Sequence, residues 1–312
     1  LPERAEFHAL LARALLIQGK TDKAEEMFDK SIALASQPAE YMVHAATMFE
    51  QAGDADRANE LFREALNAQP GSGKKHNEFA EIYLDRKDYG QALKLLKQAN
   101  SLQPGNATIL FNLSQAQFEI RNHDAAVEKL RETLKATPFH LGAQMYLGLI
   151  FKKDGNLEEA TELLAEVIRH EPEKLDMHLH LAEARVGLGQ FDKAESGYRH
   201  VMKQAPDKIE AVLGLAWSLA IRADTTPEEQ AEAMALAEKA LDGTGGNSAI
   251  ALDVLAAACA ASGRFGEART YANHAISIAK NMGNTDLAKA IAERRVLYTE
   301  SKPYRLPVYQ GE

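Results

Sequence analysis

Three groups of residues in this sequence have side chains from which chemistry could be built. Gly71-Ser72-Gly73-Lys74-Lys75 offers backbone amides and ammonium groups to a phosphate. A phosphate-cradling loop also needs Gly five residues before its Gly-Lys pair and Ser or Thr directly after it. Those places hold Ala68 and Lys75, so the segment reads as a connection between helices. Ten histidines invite a metal site, and His178 and His180 are the closest pair. Residues two apart on a helix point in widely different directions, and the places four residues on are Ala182 and Ala184. By their places in the sequence repeat, His178 belongs to the helix packing surface and His180 to the inner groove; the role of His180 stays open and no metal ligand is assigned. Cys259, the only cysteine, falls at a core position with no His and acid pair to activate it. One thiol excludes an intrachain disulfide and a multi-cysteine metal cluster. Asn106-Ala107-Thr108 and Asn112-Leu113-Ser114 match glycosylation acceptors, the second inside a helix. No catalytic set emerges and no cofactor is expected. The expectation is a protein that is not an enzyme.

The composition fits a folded helical chain. Of its 312 residues 46% are hydrophobic, 26% charged and only 7% aromatic. The net charge of −9 gives no chain-wide attraction for nucleic acid or anionic lipid. The most apolar run, Ala249 to Ala261, is too short to cross a membrane and contains Asp253. No signal peptide is visible. The chain begins at Leu1 rather than Met, as a processed piece of a longer protein would. The single Cys suits a reducing cytoplasm or an envelope compartment, so no localisation is assigned.

A repeat of 34 residues supplies the elements that position these side chains. Counting each first helix from position one, units start near residues 5, 39, 73, 107, 141, 175, 209 and 249. Position eight is small throughout: Ala12, Ala46, Ala80, Ser114, Gly148, Ala182, Ala216 and Ala256. Position twenty is Ala throughout: Ala24, Ala58, Ala92, Ala126, Ala160, Ala194, Ala233 and Ala268. Small residues at two fixed places let antiparallel helices touch. Position seven is mostly large and apolar, as in Leu11, Phe79 and Leu215, and position twenty-four includes Phe28, Phe62 and Tyr198. Pro70, Pro104, Pro138, Pro172 and Pro206 close units two to six, because proline cannot continue a helix. Gly19, Gly53, Gly155, Gly189 and Gly263 stand where first helices need a left-handed cap.

This pattern resembles the tetratricopeptide repeat family from about Ala5 to Ala279. The resemblance implies an all-α fold, a right-handed superhelical solenoid of antiparallel helix pairs. Residues 1–280 read as eight units, 281–299 as a C-terminal capping helix and 300–312 as an extended tail. Two departures stand out. His8, His76 and His178 replace the tryptophan expected early in three first helices. Unit seven is five residues longer between its helices, where Thr226-Pro227-Glu228-Glu229 predicts a capping box and a longer second helix.

In the resembled family, first helices line a concave groove, and ligand contacts come from positions two, five, six, nine, twelve and thirteen. The matching residues here include Arg13, His44, Thr47, Asn77, Glu81, Asn112, Gln115, Tyr146, Leu149, His180, Glu183 and Trp217. No three consecutive units supply a carboxylate clamp, and only Asn112 fits an asparagine ladder. What remains is an amphipathic groove. Its amides suit the backbone of an extended peptide, and Tyr146 and Trp217 suit aromatic anchoring. Trp217 equally suits packing beneath the next unit. The expected function is a scaffold binding a protein or extended peptide. The alternative is a regulatory or substrate-presenting part of a larger enzyme or membrane-anchored protein. No nucleic-acid partner and no membrane insertion are expected, while self-association through terminal units or the tail stays open. Pro303-Tyr304-Arg305-Leu306-Pro307 has the stiffness of a docking peptide. It either folds back, binds a neighbouring molecule or remains disordered.

Overall fold

In a computed structural model, residues 4–308 are described. Their helices follow the repeat. The first four pairs are α1 Ala5–Ile17 with α2 Thr21–Leu34, α3 Pro38–Gln51 with α4 Ala55–Ala68, α5 Gly73–Asp85 with α6 Tyr89–Leu102, and α7 Ala107–Glu119 with α8 His123–Ala136. Next come α9 Leu141–Asp154 with α10 Leu157–His170, α11 Leu175–Gly187 with α12 Phe191–Gln204, α13 Ile209–Ile221 with α14 Pro227–Gly243, and α15 Ala249–Ala261 with α16 Phe265–Asn281. Helix α17, Thr285–Thr299, packs on α16. Among the described residues the sole extended pairing is a bridge between Arg222 and Leu306.

The small residues explain the pairing. All eight alanines at position twenty are 0% exposed, as are Ala12, Ala46, Ala80, Ala182, Ala216 and Ala256 opposite them. At Gly148 an added Cβ would meet Leu164 at 3.0 Å, so even one methyl group crowds that crossing. Loops follow from the capping chemistry. Gly19, Gly53, Gly155, Gly189 and Gly263 have φ between +72° and +87°. In units three and four Lys87 and Arg121 take the same conformation, at +60° and +63°. Thr226 and Glu229 form the capping box, Pro227 follows, and α14 has 17 residues where α4 has 14.

Contacts divide the chain between Ala143 and Gln144, within α9, into two compact units. The 34-residue register runs through this point without a change in composition, so the sequence carries no mark of it. In the first unit, α1 packs on α3 and α5 on α7, and the core holds Phe28, Phe49, Phe62 and Phe79. Phe62 and Phe79 meet with centroids 4.8 Å apart. Each buried ring contributes about 2–3 kcal/mol over an exposed one. Leu11 is 49% exposed although it holds a position buried in later units, because no described helix precedes α1. In the second unit, α11 packs on α13 and α13 on α15. Its core rests more on close backbone approach: α15 buries every residue from Ala251 to Ala260. A Cβ on Gly214 would lie 2.3 Å from the Tyr198 ring.

Candidate binding faces on the first helices

The first unit sets its polar residues on α1, α3, α5 and α7. Arg13 is exposed on α1, beside a shallow cleft with Leu16, Met48 and Gln51. His44 lines a second cleft with Leu10 and Tyr41 and meets the Phe28 ring edge-on at 6.4 Å. Desolvation against these groups, and then the Arg13 charge, lower the His44 pKa, so its imidazole is neutral at pH 7.

Asn77 and Glu81 lie one turn apart on α5 and are joined to Asn112 of α7. Asn77 Nδ2 donates to Glu81 Oε1 at 2.9 Å. Asn112 Nδ2 donates to Asn77 Oδ1 at 3.0 Å and to Glu81 Oε1 at 2.9 Å. Both asparagines are buried and Glu81 is exposed, so the row links two repeats and ends at the surface in a carboxylate. Gln115, three residues beyond Asn112, is half-buried. A further cross-repeat pair was not among the sequence candidates. Arg86 Nε donates to Glu50 Oε1 at 2.6 Å, and Nη1 donates to Asn59 Oδ1 at 2.9 Å. Glu50 is position twelve of its unit, so the positional rule that selected the other residues would have found it.

In the second unit, Lys152 of α9 reaches α11. Its Nζ donates to Glu183 and lies 3.0 Å from His180 Nδ1. Partial burial disfavours the Glu183 carboxylate, but the bonds to His180 and Lys152 outweigh it and hold the pKa below the usual value. Lys152 also stands at position twelve and was missed in the same way. Tyr146 is half-buried on α9.

Trp217 of α13 sits in a different setting. Its ring stacks on Tyr304 of the tail, with centroids 6.0 Å apart and planes 29° from parallel. The Arg294 guanidinium of α17 lies 5.2 Å from the Trp217 centroid and 5.9 Å from that of Tyr304. Arg294 is fixed by Asp253 of α15, with N–O distances of 2.6 Å and 3.2 Å. Asp253 is only 5% exposed, and burial raises its pKa despite the counter-charge. Three residues from three separate helices thus form one seat, which no local spacing in the sequence signals. The structure folds the tail back as far as Val308, while Tyr309 to Glu312 lie outside the described residues. Leu306 N–H donates to Ile221 O at 2.8 Å. Arg305 Nη1 donates to Ala220 O at 2.6 Å and Arg222 O at 3.0 Å.

Cys259 is 1% exposed, and burial pushes its thiol up to about 11. His178 stacks on His200 at 4.5 Å and lies 3.0 Å from Pro172 O, as a packing residue would. No group of three His, Cys, Asp or Glu able to hold a metal occurs among the described residues.

Helix pairs crossing on small residues, with side chains linking successive first helices, define a helical repeat protein. Tetratricopeptide repeat models match residues 9–73, 83–145 and 152–219, more than half of the sequence. The chain belongs to the tetratricopeptide repeat family. No curated protein matches it. A tetratricopeptide repeat protein from Parabacteroides merdae is similar at 19% identity, over 81% of this chain and 98% of that one, with a TM-score of 0.57. PilF of Pseudomonas aeruginosa is similar at 17% identity, over 66% and 94%, with a TM-score of 0.55. YrrB, described as a repeat protein with an unusual peptide-binding site, is similar at 18% identity, over 61% and 95%, with a TM-score of 0.54. These likenesses establish the fold. No helix among the described residues is long and apolar enough to cross a membrane.

Proposed function

We propose that the chain is a non-catalytic scaffold that holds a protein or extended peptide against the first helices of its repeats. The observation that carries this reading is the row of Asn77, Glu81 and Asn112, whose amides and carboxylate are held in place across two repeats. Side chains already ordered lose little entropy on meeting a peptide backbone. Arg13, His44 and Gln115 extend this surface in the first unit. Tyr146, His180, Glu183 and Trp217 are its counterparts in the second. The reading is supported by the peptide-binding site described for YrrB, which shares the fold. The one thiol is buried and held protonated, so it offers no nucleophile.

Selection of displayed random twelve-residue peptides on the intact chain tests this. Enriched peptides are expected to lose at least about tenfold in affinity for the Asn77→Ala, Asn112→Ala double variant, a loss of about 1.4 kcal/mol. Undiminished binding to a folded double variant would show that the first-unit face does not hold the peptide.

A further inference from the structure

The end of α13 differs from the other first helices. A helix leaves its last four carbonyls without partners. Elsewhere a residue at positive φ, Gly19 for example, turns the chain back so that following amides reach them: Lys20 N–H donates to Leu15 O at 2.9 Å. After α13 the longer insertion leaves Arg222 extended, at φ −68° and ψ 144°. The carbonyls of Ala220, Ile221 and Arg222 point instead to donors on Arg305 and Leu306, more than eighty residues away. A guanidinium suits this place also because the C-terminal end of a helix carries partial negative charge.

This edge is anchored from the other side without help from the tail. Arg222 Nη1 donates to Glu195 Oε1 at 2.9 Å and Asp192 Oδ1 at 3.2 Å, and Nε donates to Asp224 Oδ1 at 2.9 Å. Thr225 Oγ1 donates to Leu219 O and Arg222 O. The receiving edge is therefore set by the insertion and by α12 rather than by the tail. Beside it lie a flat seat for an aromatic ring, made by Trp217 and Arg294, and an apolar cluster against which Leu306 and Val308 pack.

We infer that the end of α13 and the Trp217–Arg294 seat form a distinct peptide site for an extended aromatic-Arg-Leu-Pro segment. The chain's own tail is its resident occupant, and an external peptide of this type binds only by displacing it. One main-chain hydrogen bond, Leu306 N–H to Ile221 O, sets the register, while the ring, the guanidinium on two further carbonyls and the leucine supply the rest of the affinity and the selectivity. A tethered segment competes at an effective concentration on the order of millimolar, so the intact chain resists a free peptide of equal contacts. The inference rests on Trp217 as a binding residue of the second unit and is independent of the Asn77–Asn112 row.

The test uses a fluorescein-labelled peptide of residues 302–308 titrated by anisotropy. One sample is the unaltered chain, and the other is a full-length variant with Tyr304→Ser, Arg305→Glu and Leu306→Asp. The released variant is expected to bind at least about tenfold more tightly, and Trp217→Ala on that background to abolish the gain. Asn77→Ala with Asn112→Ala is expected to leave this binding unchanged, which separates the site from the first-unit face. Equal binding to both chains, or no binding to a released variant of unaltered helicity, would overturn the inference. If the triple variant did not fold, Arg305→Ala alone carries the test, because it deletes only the side chain that caps α13. A severalfold gain in peptide affinity is expected there, and no gain would overturn the inference.

Discussion

In the first unit Asn77 and Asn112 are buried and lead to an exposed carboxylate on Glu81. In the second unit Trp217 carries Tyr304 on its ring and Arg294 beside it, and the end of the same helix is occupied by Arg305 and Leu306. Both faces arise from the same repeat positions. The difference comes from five inserted residues after α13 and from a tail that follows the capping helix. A repeat thus fixes where a binding face forms, while irregular segments decide what reaches it.

The largest effect that would sharpen this comparison lies at Arg294. Arg294→Met leaves Asp253 buried without its counter-charge, and unfolding in urea is expected to show a loss of about 3 kcal/mol at pH 8. Burial already raises the Asp253 pKa, so protonation removes the stranded charge as pH falls. The deficit should therefore shrink as the pH is lowered from 8 toward the ordinary carboxylate range. A small, pH-independent deficit would mean that the pair does not hold the seat. Asn112→Ala in the first unit removes two hydrogen bonds, but Glu81 can turn to water, so a loss of only about 1 kcal/mol is expected. The emission of Trp217, the only tryptophan, should not change in that variant. A shifted emission would show that the two faces respond together. The smallest effect concerns the loops. Lys87 holds φ at +60° where second-unit loops use Gly155 and Gly189, so Lys87→Gly should raise stability by about 0.5–1 kcal/mol. A thermal melt checks the sign, and a lower midpoint would contradict it.

The helices were legible in the sequence because each depends on local rules. Proline after a unit, glycine after a first helix and alanine at the crossing act within a few residues, and Thr226-Pro227-Glu228-Glu229 announced the longer α14. The candidate faces were legible only in part. Asn77, Glu81 and Asn112 fall at repeat positions, but their joining into one row depends on how α5 meets α7. Glu50 and Lys152 follow the same rule and were passed over, while Asp253 and Arg294 are 41 residues apart and meet only through tertiary packing. The tail was open between three states because a proline-rich segment has no periodicity. Its place depends on carbonyls left unsatisfied at the end of another helix.

The amide of Leu306, which donates to Ile221 O at 2.8 Å, joins the tail to the end of α13. Site-resolved hydrogen exchange on the intact chain measures it. Closure of the second-unit face by the tail predicts exchange at least about a hundredfold slower than for an unstructured peptide. Exchange at the unstructured rate would show that the tail does not hold the end of α13, and the contrast between the two faces would fail.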